Sequence, residues 1–337
     1  MQGRRRRSPA ALWSGVAAVL AIGGVTAAVG LIRLQSDDDP APPVAEPTVV
    51  TPARRADQIT LDIDPTAGFV AALRGTDATR QFITARNFAE GGRYGGEVSA
   101  YDPGSFDAAP LRGGQAVDVN GNDAWYVPAY SFASLSAQDA AVKSPAIGWQ
   151  DPSGIWLLVY AGPGERASRE DLIRLAESVT LAAARELRTP FRLGTPPDGL
   201  AVTYVRSDED GADRGGMAGL SDPRRKASSA AIYDGAPYGV TVSIVASPRD
   251  AEWNAEKSTL SGRRSTVAGH PAWYSEGKNM LSPEGNGSAL VVETDGCVLK
   301  LRTADRTAIS RAELNRTVEE MTIGDCADPG TWITPLA

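Results

Sequence analysis

An N-terminal transmembrane helix followed by two tandem, internally repeated α+β domains, each an antiparallel sheet backed by a helix, is the architecture that this sequence predicts. Three observations lead there: an apolar run near the N-terminus, an internal repeat offset by about 145 residues, and strand alternation that gives way to an amphipathic helix in both copies. The chain has 337 residues, enough for about two domains of ordinary size. Its 42% hydrophobic and 22% charged residues exclude wholesale disorder, a collagen helix and a coiled coil.

Residues 1–9 form a short basic tail, with Arg4, Arg5, Arg6 and Arg7 in a row. Residues 10–32 carry no charge, and at about 1.5 Å per residue they span roughly 34 Å, enough to cross a bilayer as a transmembrane helix. Arginines on one flank, against Asp37, Asp38 and Asp39 beyond the other, place the N-terminus in the cytoplasm and the remainder outside. A single-pass, signal-anchored protein of the cell membrane with extracytoplasmic domains is therefore expected. A cleavable signal peptide competes with this reading, because Val25-Thr26-Ala27 has the small residues of a cleavage site, but the apolar run exceeds the usual length of about 7 to 15 residues. Residues 33–57 follow as a linker, with prolines at 40, 42, 43, 47 and 52 that favour an extended spacer. Five of the 34 basic residues lie within residues 1–33, which hold no acid, so the rest of the chain sets 29 against 41 acidic residues, a net charge of −12. Such a surface repels nucleic acid, and no nucleic-acid partner is expected.

The first copy of the repeat is assigned to residues 58–187 and the second to 188–326, with a tail at 327–337. VDVNGNDAWY, from Val117 to Tyr126, recurs as STVAGHPAWY, from Ser265 to Tyr274, and GIWLLVY from Gly154 recurs as GCVLKLR from Gly296. Asn120-Gly121 between alternating apolar residues predicts a type I′ hairpin, and Gly269 marks the equivalent turn. Ser168 with Asp171, and Ser310 with Glu313, have the spacing of capping boxes at two helix starts. Leu172, Leu175, Ala176 and Val179 then follow at helical spacing, as do Leu314, Val318 and Met321. Asp64-Pro65 suggests another short helix start. The stretch from Ser207 to Ser229, acidic, rich in glycine and without apolar periodicity, reads as a mobile loop.

Scarcity limits the chemistry. One histidine, His270, leaves no two-histidine metal site; it sits beside Gly269 and reads as a turn residue. Two cysteines, Cys297 and Cys326, are too few for a four-thiolate metal site but enough for one disulfide. They align with Ile155 and Ala184 of the first copy, and in an oxidising exterior a bridge between them is expected. The run from Asp118 to Asp123 starts like a calcium loop, but Asp123 stands where glycine belongs and Ala129 where a bidentate glutamate belongs, so it reads as a hairpin turn. Asp208, Glu209, Asp210 and Asp213 could gather a cation and read instead as solvated charge. No phosphate loop, nucleophile elbow or dinucleotide fingerprint is present. No catalytic residue, metal or cofactor is expected.

Trp125, Trp149, Trp156 and Trp273 fall in predicted strands, where aromatic residues mostly fill cores; they are the candidates for lining an apolar ligand groove. Strands ending in V-x-G-x-x-A-W-Y, at Val119 to Tyr126 and at Val267 to Tyr274, together with a hairpin and a capped helix, resemble LolA-like envelope domains, one in each repeat. The resemblance implies a curved antiparallel sheet able to hold lipid or to engage envelope partners, and it transfers no functional residue. The expected function is a membrane-tethered, non-enzymatic module that binds an envelope component, a membrane protein or lipid outside the cytoplasm. The alternative is an extracytoplasmic hydrolase or transferase whose carboxylates and hydroxyls come from separate strands. Acidic groups converging in one cleft would mark the enzyme, and a broad apolar groove the binding module.

Overall fold

A computed structural model describes residues 55–87, 93–131, 143–162, 167–209, 214–224, 240–260, 263–279 and 281–336. The N-terminal half contains β1 (Gln58–Ile63), β2 (Phe69–Asp77), β3 (Arg80–Asn87), β4 (Arg93–Tyr101), β5 (Gln115–Val119), β6 (Asn122–Ser131), β7 (Lys143–Gln150), β8 (Trp156–Tyr160), α1 (Arg169–Glu177) and β9 (Val179–Glu186). The C-terminal half contains β10 (Phe191–Arg192), β11 (Ala201–Ser207), β12 (Gly216–Ser221), β13 (Val242–Ser247), α2 (Ala251–Thr259), β14 (Arg263–Val267), β15 (His270–Asn279), β16 (Ser282–Glu293), β17 (Val298–Thr303), α3 (Arg311–Glu319) and β18 (Thr322–Ile323).

This corrects the expected fold class. Strands dominate, the three α-helices among the described residues are nine residues each, and one antiparallel sheet of 14 strands runs through both halves. Residues 53–337 make one compact unit rather than two tandem sheet-plus-helix domains. No helix of the described residues is long and apolar enough to cross a membrane, and the segment 10–32 read as a transmembrane helix lies outside them.

The physical reason is a seam. β2 and β11, which would be free edges of two separate sheets, pair with each other, Tyr204 opposite Asp77 and Ser207 opposite Arg74. Edge amides and carbonyls that would otherwise be left bare satisfy one another. From that seam the order runs β2-β3-β4-β8-β7-β6-β5 in one direction and β11-β12-β13-β17-β16-β15-β14 in the other. Two short sheets flank the large one, β1 with β9 and β10 with β18.

One face of the sheet is covered by α1 and by α3. Leu172, Leu175 and Ala176 of α1 pack with Ile59, Leu61, Val98, Ile147 and Val159, while Leu314 and Val318 of α3 pack with Ile244, Leu290, Leu299 and Leu301. Both helices start on the expected capping boxes: the Ser168 and Ser310 hydroxyls accept from the amides of Asp171 and Glu313, whose carboxylates accept from the serine amides. Alternation then puts Phe82, Tyr101, Leu158 and Tyr160 on the opposite face, in separate apolar clusters.

Two local readings need revision. The short helix expected from Asp64-Pro65 is present as a single 3-10 turn, Pro65–Ala67, ended by the left-handed Gly68, but Phe69, Val70 and Leu73 after it belong to β2. Within the stretch read as a loop, Gly216–Ser221 is a strand whose six residues are all buried. A central strand covered on both faces has no reason to alternate, so its pattern carried no period.

The hairpin turns follow the sequence. Asn120 and Gly121 have φ of 51° and 80°, the left-handed pair that a type I′ turn requires, and the Asn120 amide donates to the Glu177 carbonyl at 2.8 Å. In the other half the pair is Ala268 at 50° and Gly269 at 82°. Alanine is strained there in a way that asparagine is not. Ala268→Asn, at an exposed turn position, is expected to stabilise the protein by about 0.5–1 kcal/mol, read as a higher urea midpoint. A lower midpoint would refute this reading of the turn.

Candidate functional site

Polar side chains gather at the seam on both faces of the sheet. On the face away from α1, Arg80 of β3 is 2% exposed, and its guanidinium meets the Asp77 carboxylate at 2.9 Å, Ser99 Oγ at 3.0 Å and Glu97 at 3.4 Å. The Tyr160 hydroxyl donates to the same Glu97 carboxylate. Burial alone would push the Arg80 guanidinium down, yet Tyr101, Asp77, Glu97 and Tyr160 around it raise it well above its ordinary value, so it stays charged. Burial, followed by the negative charge of Glu97, pushes the Tyr160 hydroxyl well up, which keeps it protonated as a donor. The cation also lies 5.2 Å from the centre of the Phe82 ring, which stacks on Tyr204 across the seam. The network is largely buried, its two carboxylates at most 17% exposed.

The accessible site lies on the other face. Where Ser207 of β11 stands opposite Arg74 of β2, the end of β9 adds Arg185 and Glu186, and the chain beyond β9 and β11 adds Leu187, Arg188 and Glu209. Together they line a depression of about 260 Å³, part of it open to solvent. Each arginine is held in place. Arg74 and Arg185 share Asp62 of β1 at 3.3 and 3.5 Å, and Arg188 binds Glu209 at 3.3 Å and the carbonyls of Pro329 and Trp332 at 2.9 and 2.8 Å. Ser207 is 4% exposed, and its hydroxyl has no hydrogen-bond partner among the described residues. The buried Ser207 hydroxyl and three anchored arginines thus belong to the lining of one depression.

The acidic run is thereby accounted for in part. Asp208 pairs with Arg206 at 2.9 Å and Glu209 with Arg188, while Asp210 and Asp213 lie outside the described residues. Carboxylates elsewhere serve local turns. Those of Asp64, Asp171, Asp305 and Glu313 are lowered by hydrogen bonds from their own caps and turns, at four separate places in the chain. Among the described residues no group of three or more His, Cys, Asp and Glu is placed to hold a metal.

The four tryptophans are not brought to one place. Trp149 lies in the core beneath α1; Trp125 and Trp156 pack 6.1 Å apart on the opposite face, next to Phe106; Trp273 meets Trp253 of α2 edge-on at 6.0 Å in the other half. His270 opens β15 directly after the turn, paired with Val267. Cys297 and Cys326 form a disulfide, both fully buried. The pocket residues carry no joint mark in the sequence, because they come from three separate segments. The only local hint is the run from Arg185 to Arg192, with three arginines in eight residues.

Fold and site define a mainly β protein whose two halves share one sheet, with a polar depression where they join. Neither the family models nor the curated proteins give a match to the chain. Among solved structures, a protein from Bacteroides thetaiotaomicron is similar at 13% identity and a TM-score of 0.22, over 40% of this chain and 52% of its own, so this chain spans about half of that one's length. The structure of MucB in complex with MucA(peri) is similar at 10% identity and a TM-score of 0.22, over 77% of this chain and 96% of that one. Scores of this size establish neither a common fold nor a common activity.

Proposed function

We propose that the protein is a non-enzymatic binding module of the cell envelope, working outside the cytoplasm and engaging another envelope protein through the seam. The observation that carries this reading is the seam pocket itself: anchored arginines and a buried hydroxyl that has no partner among the described residues. The compartment rests on the disulfide, which takes up both cysteines of the chain and is at home in an oxidising environment.

The test is site-specific cross-linking in cells. A photoreactive residue replaces Arg185 at the rim of the pocket, and in a control it replaces Asp118 in the far hairpin. Purification in mild detergent and mass spectrometry identify the adducts. A defined envelope protein attached from position 185 and not from 118 is the expected result. Adducts from neither position, together with turnover of a cell-wall substrate by the purified protein, would overturn the reading in favour of the hydrolase or transferase.

A further inference from the structure

The lining of the seam pocket has a charge pattern that narrows its ligand. Arg74, Arg185 and Arg188 bring three positive charges, Glu186 and Glu209 bring two negative ones, and Asp62, which holds Arg74 and Arg185, brings a third, so the site is close to neutral in a chain whose total is −7. A dianion such as phosphate would meet both glutamates with twice the charge of a carboxylate, and repulsion between like charges at close range is costly. A single carboxylate meets less of that repulsion, and its planar pair of oxygens suits the guanidinium fork. Ser207, one of the lining residues, supplies what a general basic patch lacks: a nearly fully buried hydroxyl that has no partner among the described residues. Leaving such a group unsatisfied costs about 1–3 kcal/mol, so an acceptor that reaches it is favoured over water left outside. The arginines keep their positions without any ligand, because Asp62, Glu209 and the carbonyls of the C-terminal segment hold them, so little ordering is needed when an anion arrives.

We infer that the seam pocket binds one carboxylate group of a polypeptide partner, received by Ser207 Oγ and by the guanidinium groups of Arg74, Arg185 and Arg188. The polypeptide source rests on the protein-binding reading above, whereas the preference for carboxylate rests on the pocket alone.

The full-length protein in mild detergent is titrated with three small probes, N-acetylalanine, its amide N-acetylalaninamide, and inorganic phosphate, followed by ligand-observed saturation transfer. Ser207→Ala removes the buried hydroxyl with little change of volume, and Arg185→Gln removes a half-exposed guanidinium whose loss the fold tolerates. N-acetylalanine is expected to bind in the millimolar range, with a Kd raised about 3- to 10-fold by Ser207→Ala and by Arg185→Gln, and the amide is expected not to bind. Binding of phosphate in preference to N-acetylalanine, equal binding of acid and amide, indifference to both substitutions, or no binding would each overturn the inference. The cross-linking result separates the two claims. A partner captured at position 185 equally well by the Ser207→Ala protein leaves the module reading standing and removes the carboxylate pocket. Binding of N-acetylalanine with no partner captured does the reverse.

Discussion

Replacing Arg80 by methionine is expected to destabilise the protein by about 3–5 kcal/mol, the largest effect of any single substitution considered for this fold. The guanidinium is the only cation that Glu97 is seen to meet on that face among the described residues, and it holds Asp77 and Ser99 as well. Without it, two carboxylates that are at most 17% exposed face each other's charge across a largely dry space. Methionine restores the volume and none of the charge, so the loss is electrostatic rather than a cavity effect. Arg80→Lys keeps the charge but cannot make the forked contacts, and it is expected to fall between the two. Adding Glu97→Gln to Arg80→Met is expected to recover part of the loss, because the uncompensated charge is then gone. The measurement is the urea midpoint of each protein. A loss below about 1 kcal/mol for Arg80→Met, or no recovery in the double variant, would show that the network is not what holds that face.

Removing the disulfide comes next. Alanine at both Cys297 and Cys326 opens a loop of 29 residues, and the entropy restored to the unfolded chain is worth about 3–4 kcal/mol. In a unit of this size that corresponds to a fall of roughly 6–12 °C in Tm. The two halves show why the bond sits where it does. After α1 the chain continues as β9, paired with β1 over Gln58↔Glu186 to Ile63↔Val179, whereas after α3 the equivalent pairing, β10 with β18, is two residues long. A covalent link therefore stands where a longer ladder would otherwise tie the chain down. It also steadies the seam, since the segment beyond Cys326 supplies the Pro329 and Trp332 carbonyls that hold Arg188. Hydrogen exchange in the alanine variant is accordingly expected to rise first between residues 322 and 336. Uniform acceleration over the whole sheet, or a Tm lowered by less than about 2 °C, would contradict this.

What could be read in the sequence was what a few neighbouring residues decide. Asn120-Gly121 makes its turn and Ser168-Asp171 and Ser310-Glu313 cap their helices because each signal is complete within four residues. The disulfide was legible from two cysteines and a repeat. The continuous sheet was not, because the pairing of Phe69–Asp77 with Ala201–Ser207 joins segments that carry no mark of each other. Strand Gly216–Ser221 was invisible for a related reason: burial on both faces erases the alternation by which strands are recognised. The pocket failed to show because Arg74, Arg185, Arg188 and Ser207 acquire their meaning only when the halves meet. Ser207 stood at the start of a presumed loop, and Glu209 in a presumed patch of solvated charge.

The pairing of β2 with β11 joins strands that hold the same place in the order of their own halves. Severed between Leu187 and Phe191, the chain would yield two fragments, each with a bare strand fitted to its sister and, by the same likeness, nearly fitted to a duplicate of itself. Contacts of this self-matching kind ordinarily join separate molecules. Here both strands lie in one chain, so the proper mate is held at high local concentration.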